Sequence, residues 1–428
     1  MTSYYGVIGN RDYIKLKGQR TPFWEFLDVQ PGGWLSSLVY KRTDVPRDRP
    51  MIWDCGAWSY RLSDEPDYSP KECADLYQKF APPGSLVIAP DHMLIPGVDV
   101  ARRREINLRN ATEFLEVVNP EHKPMATVHG VTIEERVDAA VAYAKLGYQH
   151  IALGGMAAQA GKKELATEIA VALRAAVPKV HLHILGLSSP EYASRWKRIG
   201  IDSFDGSSHF KQAFTGGLFY TRDGARLEKH QAARPGNDEC GGIVAPECSC
   251  RACSILRAEG IDTRTYGSNE NNMGRAAHNM NILMQAHAAA MSEHIVLVAC
   301  CGKKLPNAAK AKDIYRSELF IKSRRYAEQH GDRWLILSAK HGVVDPEDVI
   351  EPYDETLNDK SAAERRVWSA KVAEQLQKHR HDRLTVLAGG AYCGWTDGFN
   401  AERPMQGLGI GQQLQYLLQH TEQQPNLF

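Results

Sequence analysis

Residues 124–155 read PMATVHGVTIEERVDAAVAYAKLGYQHIALGG, and this stretch decides the fold class. Its two short aliphatic runs, PMATV and HIAL, end in His-Gly and Gly-Gly turns, which is typical of buried strands. Between them, residues 132–147 carry apolar side chains at helical spacing behind a threonine suited to cap a helix. A strand, a helix and a second strand in this order predict a parallel βαβ unit.

The same alternation extends in both directions along the chain. Other strand-like runs that end in a turn are YYGVIGN (4–10), PMIWDCG (50–56), SLVIAPD (85–91), VHLHILG (180–186) and DSFDG (202–206). Helical patterns separate several of them, and polar residues cluster at their C-terminal ends. This arrangement predicts an α/β fold, a (β/α)8 barrel of the TIM type, in which the chemistry lies on the loops after the strands.

Two further regions follow these strands. The stretch from Gly216 to Glu247 is rich in Gly, Arg and Asp and has weak periodicity, so we expect an irregular insertion there. With the cysteine-bearing element after it, this stretch would form a zinc subdomain over about residues 216–290. Strand-like and helical segments alternate again from HIVLVACCGKK (294–304) onward. We therefore expect a barrel domain over residues 1–291 and a small α/β domain over residues 292–428.

The composition bounds the class of protein. Of the 428 residues, 43% are hydrophobic and 24% are charged, which is close to the average for globular proteins. No apolar run is long enough to cross a bilayer, and the N-terminus has no signal-peptide pattern, so we expect no membrane association. Nine cysteines argue against a disulfide framework and predict reduced thiols in the cytoplasm. The net charge of +1 predicts that any nucleic-acid binding depends on local basic patches.

A metal site is predicted from the segment ECSCRAC. Cys248, Cys250 and Cys253 lie close together, and His278 follows in a helical pattern. Three thiolates and one imidazole make a closed tetrahedral zinc shell, so we expect one structural zinc ion per chain. His287 is the alternative fourth ligand. Free cysteines in a loop are the alternative interpretation.

Three aspartates follow strand-like runs: Asp54, Asp91 and Asp205. A single aspartate at such a place is commonly a helix cap or a turn residue. Three on one rim of a barrel suit glycosyl chemistry, in which one carboxylate attacks the anomeric carbon and another transfers a proton.

The order and spacing of short motifs over residues 1–290 resemble the tRNA-guanine transglycosylase family. The similar segments are DCGAW (54–58), the aspartate at 91, the pairs at 129–130 and 185–186, the triplet at 154–156, and GIDSFDGSSHFKQAFT (200–215), followed by the zinc motif. The resemblance implies that Asp205 is the nucleophile and Asp54 the acid/base of a ping-pong base exchange. It also implies a base pocket lined by Trp58, Asp91, His129, Gly154, Gly155, Met156, Leu185 and Gly186.

Departures from the family pattern concern the polymer substrate. The family's arginine-rich loop after the nucleophile is reduced here to SSHFKQAF. The chain resembles more closely a branch that inserts 7-deazaguanines, such as 7-cyano-7-deazaguanine, into DNA and protects it from restriction, which on a duplex requires base flipping. Exchange in tRNA and a non-catalytic nucleic-acid-binding role are the alternatives, and a requirement for an ATPase partner protein stays open. We expect the phosphate backbone of the nucleic acid to be contacted by four basic residues, Lys211, Arg102, Arg103 and Arg104.

The region after residue 292 resembles the small domain of the peroxide-stress proteins of the YaaA type, some relatives of which are associated with DNA. Its candidate phosphate contacts are Lys303, Lys304, Arg324, Arg325 and Lys340, and a solvated basic face is the alternative. In the barrel region, His181 and His183 alternate on a strand, and we interpret them as packing or surface residues.

Overall fold

The computed structural model describes residues 2–10, 12–233, 245–380 and 382–421. The chain divides into two compact units, Met1–Met291 and Ser292–Phe428. Within the described ranges, no helix is both long enough and apolar enough to span a bilayer.

The first unit is built on a barrel and also contains two β-hairpins. All these strands are numbered in chain order. The strands are β1 (Ser3–Val7), β2 (Tyr13–Leu16), β3 (Gln19–Pro22), β4 (Gly33–Ser37), β5 (Met51–Asp54), β6 (Leu86–Ile88), β7 (Lys123–Val128), β8 (His150–Leu153), β9 (His181–Ile184), β10 (Ser203–Gly206), β11 (Leu218–Asp223) and β12 (Arg226–Gln231). Eight of them close in the order β1-β10-β9-β8-β7-β6-β5-β4, and all the pairs are parallel. The predicted (β/α)8 barrel is therefore confirmed.

Helices surround this barrel and carry the local signals that the sequence showed. They are α1 (Pro70–Phe80), α2 (Val100–Val117), α3 (Ile133–Leu146), α4 (Lys163–Ala176), α5 (Pro190–Ile199), α6 (Ser208–Lys211), α7 (Arg251–Ala258) and α8 (Asn269–Met291). Thr132 begins α3 by accepting a hydrogen bond from the amide of Glu135 at 3.2 Å. Gly147 ends it at φ 110°, a backbone conformation that favours glycine.

The barrel closes through a strand that the sequence patterns did not reveal. β4, with the sequence GWLSS, bonds to β1 on one side and to β5 on the other. Gly33 lies opposite Tyr5 in this pairing, and a Cβ at Gly33 would overlap the phenol ring. Because glycine has no side chain, the two strands can approach closely enough to close the sheet.

The prediction of an irregular insertion over residues 216–247 is wrong for the first part of that stretch. β11 and β12 form a regular antiparallel hairpin from Leu218 to Gln231. The hairpin alternates only weakly between buried and exposed positions, so the strand period is faint in the sequence. Residues 234–244 lie outside the described residues.

The second unit is a layered α/β domain. Its strands are β13 (His294–Ala299), β14 (Ala309–Lys310), β15 (Arg333–Ser338), β16 (Gly342–Val344), β17 (Val349–Ile350), β18 (Arg383–Leu387) and β19 (Ala401–Glu402). Its helices are α9 (Ala311–Ile314), α10 (Glu318–His330), α11 (Ala362–Gln375) and α12 (Ile410–Thr421). The main sheet has the order β16-β15-β13-β18-β19, with β16 antiparallel. Separate apolar clusters cover its faces, one containing residues of α10 and the other residues of α11.

Candidate active site and metal centre

Three aspartates stand at the carboxyl ends of barrel strands. Asp54 is the last residue of β5, Asp91 follows β6, and Asp205 lies in β10. Burial and the negative charge of Asp91 raise the pKa of Asp54, and the charge of Asp205 adds a smaller increase. The charges of Asp91 and Asp205 therefore act on Asp54 at the same end of the barrel.

Asp54 is held as a group that can change its protonation near neutral pH. Its Oδ2 accepts hydrogen bonds from the Gly56 amide at 2.9 Å and from Ser37 Oγ at 3.2 Å. Burial is the largest cause that raises its pKa to about 7, and these two hydrogen bonds oppose the shift. A carboxyl group with this pKa populates both protonation states at neutral pH, as a proton-transferring group requires.

Asp91 is buried, and both of its carboxylate oxygens have partners. The Cys55 thiol donates to Oδ1 at 2.9 Å, and His129 Nε2 lies 2.5 Å from Oδ2. Burial raises the pKa of Cys55, so the thiol keeps the proton that it donates. Gly154 leaves room for the imidazole, since a Cβ there would overlap the His129 ring. This arrangement fixes the orientation of Asp91, and the second lone pair of each oxygen stays available to a ligand.

Asp205 has one oxygen held and one oxygen open. Its Oδ1 accepts from the Gly186 amide at 3.0 Å and lies 3.1 Å from His183 Nε2. Gly186 adopts φ 80°, a conformation that few other residues tolerate. In the described part of the chain, Oδ2 has no hydrogen-bond partner. A carboxylate held in this way can present one oxygen to an electrophile.

A buried chain of hydrogen bonds leads to Asp205 from the interior of the barrel. Ser203 Oγ lies 2.8 Å from His181 Nε2 and 2.8 Å from His183 Nδ1. A carboxylate only accepts hydrogen bonds, so the neutral arrangement has His183 Nε2 donating to Asp205, Ser203 donating to His183 and His181 donating to Ser203. Every proton in this arrangement then points toward Asp205.

The interpretation of His183 as a packing or surface residue is therefore incomplete. Its side chain is fully buried, and both of its ring nitrogens form hydrogen bonds, one to Ser203 and the other to Asp205. Sequence reasoning missed His183 and Ser203. The period-two alternation of β9 and β10 was the available signal, because Ser203 pairs with His183 in the parallel register.

The remaining residues of the expected base pocket differ in their surroundings. Trp58 is 65% exposed on the turn after β5, and the Arg61 guanidinium lies 4.3 Å from its ring centroid. Leu185 is partly buried, and Gly155 has φ 69°. Met156 is fully buried, so its side chain is not available to line a base pocket directly.

The basic run at the start of α2 is already engaged within the protein. Arg102 forms an ion pair with Glu65 at 3.0 Å, and Arg104 forms one with Glu135. Arg103 is buried and donates to two backbone carbonyl groups. This burial does not fit the phosphate contact that we expected of Arg103. Its guanidinium instead ties α2 to the loops beside it.

The other expected phosphate contacts fall into two groups. Lys211 is exposed and forms no ion pair within the described ranges. In the second unit, Lys303 and Lys340 are exposed and Lys304 is partly buried, and none of these three forms an ion pair within the described ranges. Arg324 differs, since it pairs with two carboxylates at 2.9 and 2.7 Å.

The predicted metal ligands converge. The ligand atoms of Cys248, Cys250, Cys253 and His278 all lie within 4.8 Å of one another. Nδ1 of His278 lies 3.4 Å from the sulfurs of both Cys250 and Cys253. Its Nε2 lies 2.7 Å from the carbonyl oxygen of Tyr220, which orients the ring as in metal-ligating histidines. The donor set fits zinc, so the cluster could hold a zinc ion.

His287, the alternative fourth ligand, is not part of this cluster. Its Nε2 lies 2.6 Å from the carbonyl oxygen of Ser188. The cluster therefore contains His278, the predicted ligand, and the alternative that His287 is the fourth ligand is wrong. His278 and His287 both lie on α8, and only the tertiary structure shows which of them faces the cysteines.

Comparisons with known proteins agree with this geometry. Residues 88–293 match the family described as Queuine tRNA-ribosyltransferase, and residues 295–419 match a family of unknown function, DUF6884. The chain is 27% identical over 187 residues to a DNA-guanine transglycosylase of Salmonella montevideo, covering 40% of this chain and 43% of that protein. It is 28% identical over 155 residues to the uncharacterized protein YfjM of Bacillus subtilis (strain 168), covering 32% of this chain and 99% of that protein.

The fold and the site together define a parallel α/β barrel with a carboxylate-lined mouth and an appendage whose three cysteines and one histidine could hold a metal ion. The family match over residues 88–293 and the similarity to a DNA-guanine transglycosylase support the transglycosylase resemblance indicated by the sequence motifs. The chain spans less than half the length of the DNA-guanine transglycosylase that it matches. The match of the second unit is consistent with the small domain expected there.

Proposed function

We propose that the protein is a DNA-guanine transglycosylase that exchanges guanine in DNA for a 7-deazaguanine such as 7-cyano-7-deazaguanine. The carboxylate pair of Asp54 and Asp205 carries this proposal. One member has an oxygen open for attack, and the other has a pKa of about 7. A nucleophile beside a proton-transferring group is what glycosyl transfer with a covalent intermediate needs.

In the first half of the reaction, Asp205 Oδ2 attacks C1′ of the target nucleoside. The C1′–O bond forms as the C1′–N9 bond breaks, and the leaving guanine takes a proton at N9 from protonated Asp54. In the second half, N9 of the incoming deazapurine attacks C1′, and its proton passes to Asp54. The aspartyl ester bond breaks and returns the carboxylate, so two inversions restore the original anomeric configuration.

Other residues would orient these two carboxylates and the base. His183 and the Gly186 amide hold Oδ1 of Asp205, which fixes the direction of Oδ2. Asp91, fixed by Cys55 and His129, would accept hydrogen bonds from the polar edge of the purine. Trp58 offers an exposed aromatic face on which a flipped base can stack.

We further propose that Cys248, Cys250, Cys253 and His278 hold one structural zinc ion. Four protein ligands leave no open position for water or substrate, so the ion would stabilise the fold. The side chains of this cluster join the start of α7 to the middle of α8. Removal of the metal should therefore affect stability before it affects the chemistry.

The polymer is tested directly with the purified full-length protein. Plasmid DNA and bulk tRNA are each incubated with labelled 7-cyano-7-deazaguanine, and incorporation is measured by mass spectrometry of digested nucleosides. We expect incorporation into DNA and none with Asp205→Asn. Incorporation into tRNA alone would instead support the second candidate, which the Queuine tRNA-ribosyltransferase match favours. Absence of incorporation into either polymer would contradict both.

A further inference from the structure

The carboxyl edge of the sheet in the second unit has the topology of a ligand site. The chain leaves β13 through α10 to reach β15 on one side, and later crosses by α11 to β18 on the other side. β13 and β18 are neighbours, so the connections diverge between them. In open α/β sheets, ligands bind at the carboxyl end of the strands near such a divergence. The loop after β13 borders this point, and the loop after β15, the neighbouring strand, lies beside it.

Three loops meet at that edge. Cys300, just after β13, accepts a hydrogen bond on Sγ from the Ala339 amide at 3.4 Å, which links it to the loop after β15. The same Sγ lies 3.5 Å from the hydroxyl of Tyr392, which belongs to the loop after β18. The loops therefore form one connected surface and do not extend separately into solvent.

Two lysines on this surface form no ion pair with a carboxylate of the described residues. Lys304 Nζ lies 4.1 Å, and Lys340 Nζ 5.8 Å, from the ring centroid of Tyr353. Neither lysine forms an ion pair within the ranges that the structure describes. Glu355, whose charge acts on the neighbouring His341, is itself paired with Lys360 at 3.0 Å. Two ammonium groups that share one ring repel each other, and a bound anion would relieve that repulsion.

His341 adds a third polar group to this surface. Nε2 of His341 is buried and has no hydrogen-bond partner among the residues that the structure describes, and its ring lies 5.5 Å from that of Tyr353. The main chain of His341 is fixed, because its amide donates to Ser338 Oγ at 3.0 Å. Buried polar atoms usually have partners, so this nitrogen is a further group that a ligand can satisfy.

We propose that this basic edge, formed by Lys304, Lys340, His341 and Tyr353, binds a phosphate group. A terminal phosphate offers three unesterified oxygens, enough for two ammonium groups and one imidazole at once, whereas a backbone phosphodiester offers two, enough for the two ammonium groups. The phosphate can come from a free nucleotide or from the backbone of a nucleic acid. The site lies wholly in the second unit and does not depend on the exchange reaction proposed for the barrel.

The test uses calorimetry on the full-length protein with three probes: thymidine 5′-monophosphate, thymidine, and a short oligothymidylate without terminal phosphate. Lys304→Gln and Lys340→Gln should each weaken phosphate-dependent binding about tenfold, because each removes one charge-assisted contact. Lys378→Gln is the matched control. It removes the same charge from an exposed position that precedes β18, at the opposite edge of the sheet.

The outcomes separate the sources of the phosphate. Binding of the monophosphate that weakens in both variants and not in the control supports a free nucleotide. Binding of the oligothymidylate alone, weakened in the same selective way, supports a nucleic-acid backbone. The proposal is overturned if thymidine binds as tightly as its monophosphate, if Lys378→Gln weakens binding equally, or if no phosphate-bearing probe binds.

Discussion

The carboxylate rim (Asp54, Asp91 and Asp205) and the cysteine cluster (Cys248, Cys250, Cys253 and His278) differ in whether all their polar atoms have partners. In the cluster, three cysteines and one histidine converge on one point, and each offers one ligand atom. At the rim, Asp205 has one oxygen held by His183 and Gly186, and its other oxygen has no partner in the described residues. A closed set of ligands suits structural stabilisation, whereas an oxygen left open suits chemistry.

The two regions also differ in how far apart their residues lie along the sequence. The cysteines lie within six consecutive positions, and one helix supplies the histidine. The rim collects residues from β5, the loop after β6, and β10, and its supporting histidine comes from β9. A disturbance of the cluster should therefore act on folding, and a disturbance of the rim should act on activity with the fold retained.

Cys250→Ala should have the largest effect of the substitutions that separate the two regions. We expect metal content and the free energy of unfolding to fall together, by several kcal/mol, because structural zinc contributes folding energy of roughly 10 kcal/mol or more. Metal analysis and thermal denaturation measure this. Cys73→Ala, a buried cysteine of the same unit outside the cluster, is the control and should keep its metal. A Cys250→Ala protein as stable as the wild type would exclude a structural metal.

Asp205→Asn should give the opposite result. The amide is a poor nucleophile, so we expect exchange to fall by about 10⁴-fold while the melting temperature stays near that of the wild type. Single-turnover assays and denaturation on the same sample measure both quantities. Unchanged turnover would remove Asp205 from the nucleophile role.

His183→Leu tests whether the buried chain of hydrogen bonds positions the rim. Loss of a hydrogen bond to a charged group corresponds to roughly 10- to 100-fold in kcat, and KM should change little. His183→Gln should restore part of the rate, because its amide can still donate to Asp205. His181→Leu, at the far end of the chain, should cost less. Equal losses for His181→Leu and His183→Leu, with no rescue by glutamine, would indicate packing alone.

Asp54→Asn should have the smallest effect of these substitutions, a change in how the free energy of unfolding depends on pH. The pKa of Asp54 is raised to about 7 in the folded state, above its ordinary value, so the folded protein binds the proton more tightly. The resulting stabilisation is complete below about pH 4 and is lost as the pH rises through about 7. Between pH 6 and pH 8 the wild type should lose roughly 1 kcal/mol more than Asp54→Asn, measured by chemical denaturation. Asp48→Asn, on the surface, is the control, and a slope in Asp54→Asn equal to that of the wild type would contradict the raised pKa.

The sequence by itself determined the barrel class and the three cysteines of the candidate metal site. Both depend on short-range patterns: the strand and helix periods around residues 124–155, and three cysteines in one short segment. The fold that these patterns predicted is confirmed by eight parallel strands in a closed order.

Only the tertiary structure decided which polar groups share a neighbourhood. It selected His278 over His287, buried Arg103, and placed His183 against Asp205. The physical reason is that a local pattern fixes the face on which a side chain lies, but its partners come from strands and helices that are distant in sequence. Hydrogen bonds, burial and the pKa of a group such as Asp54 arise only when those elements pack together.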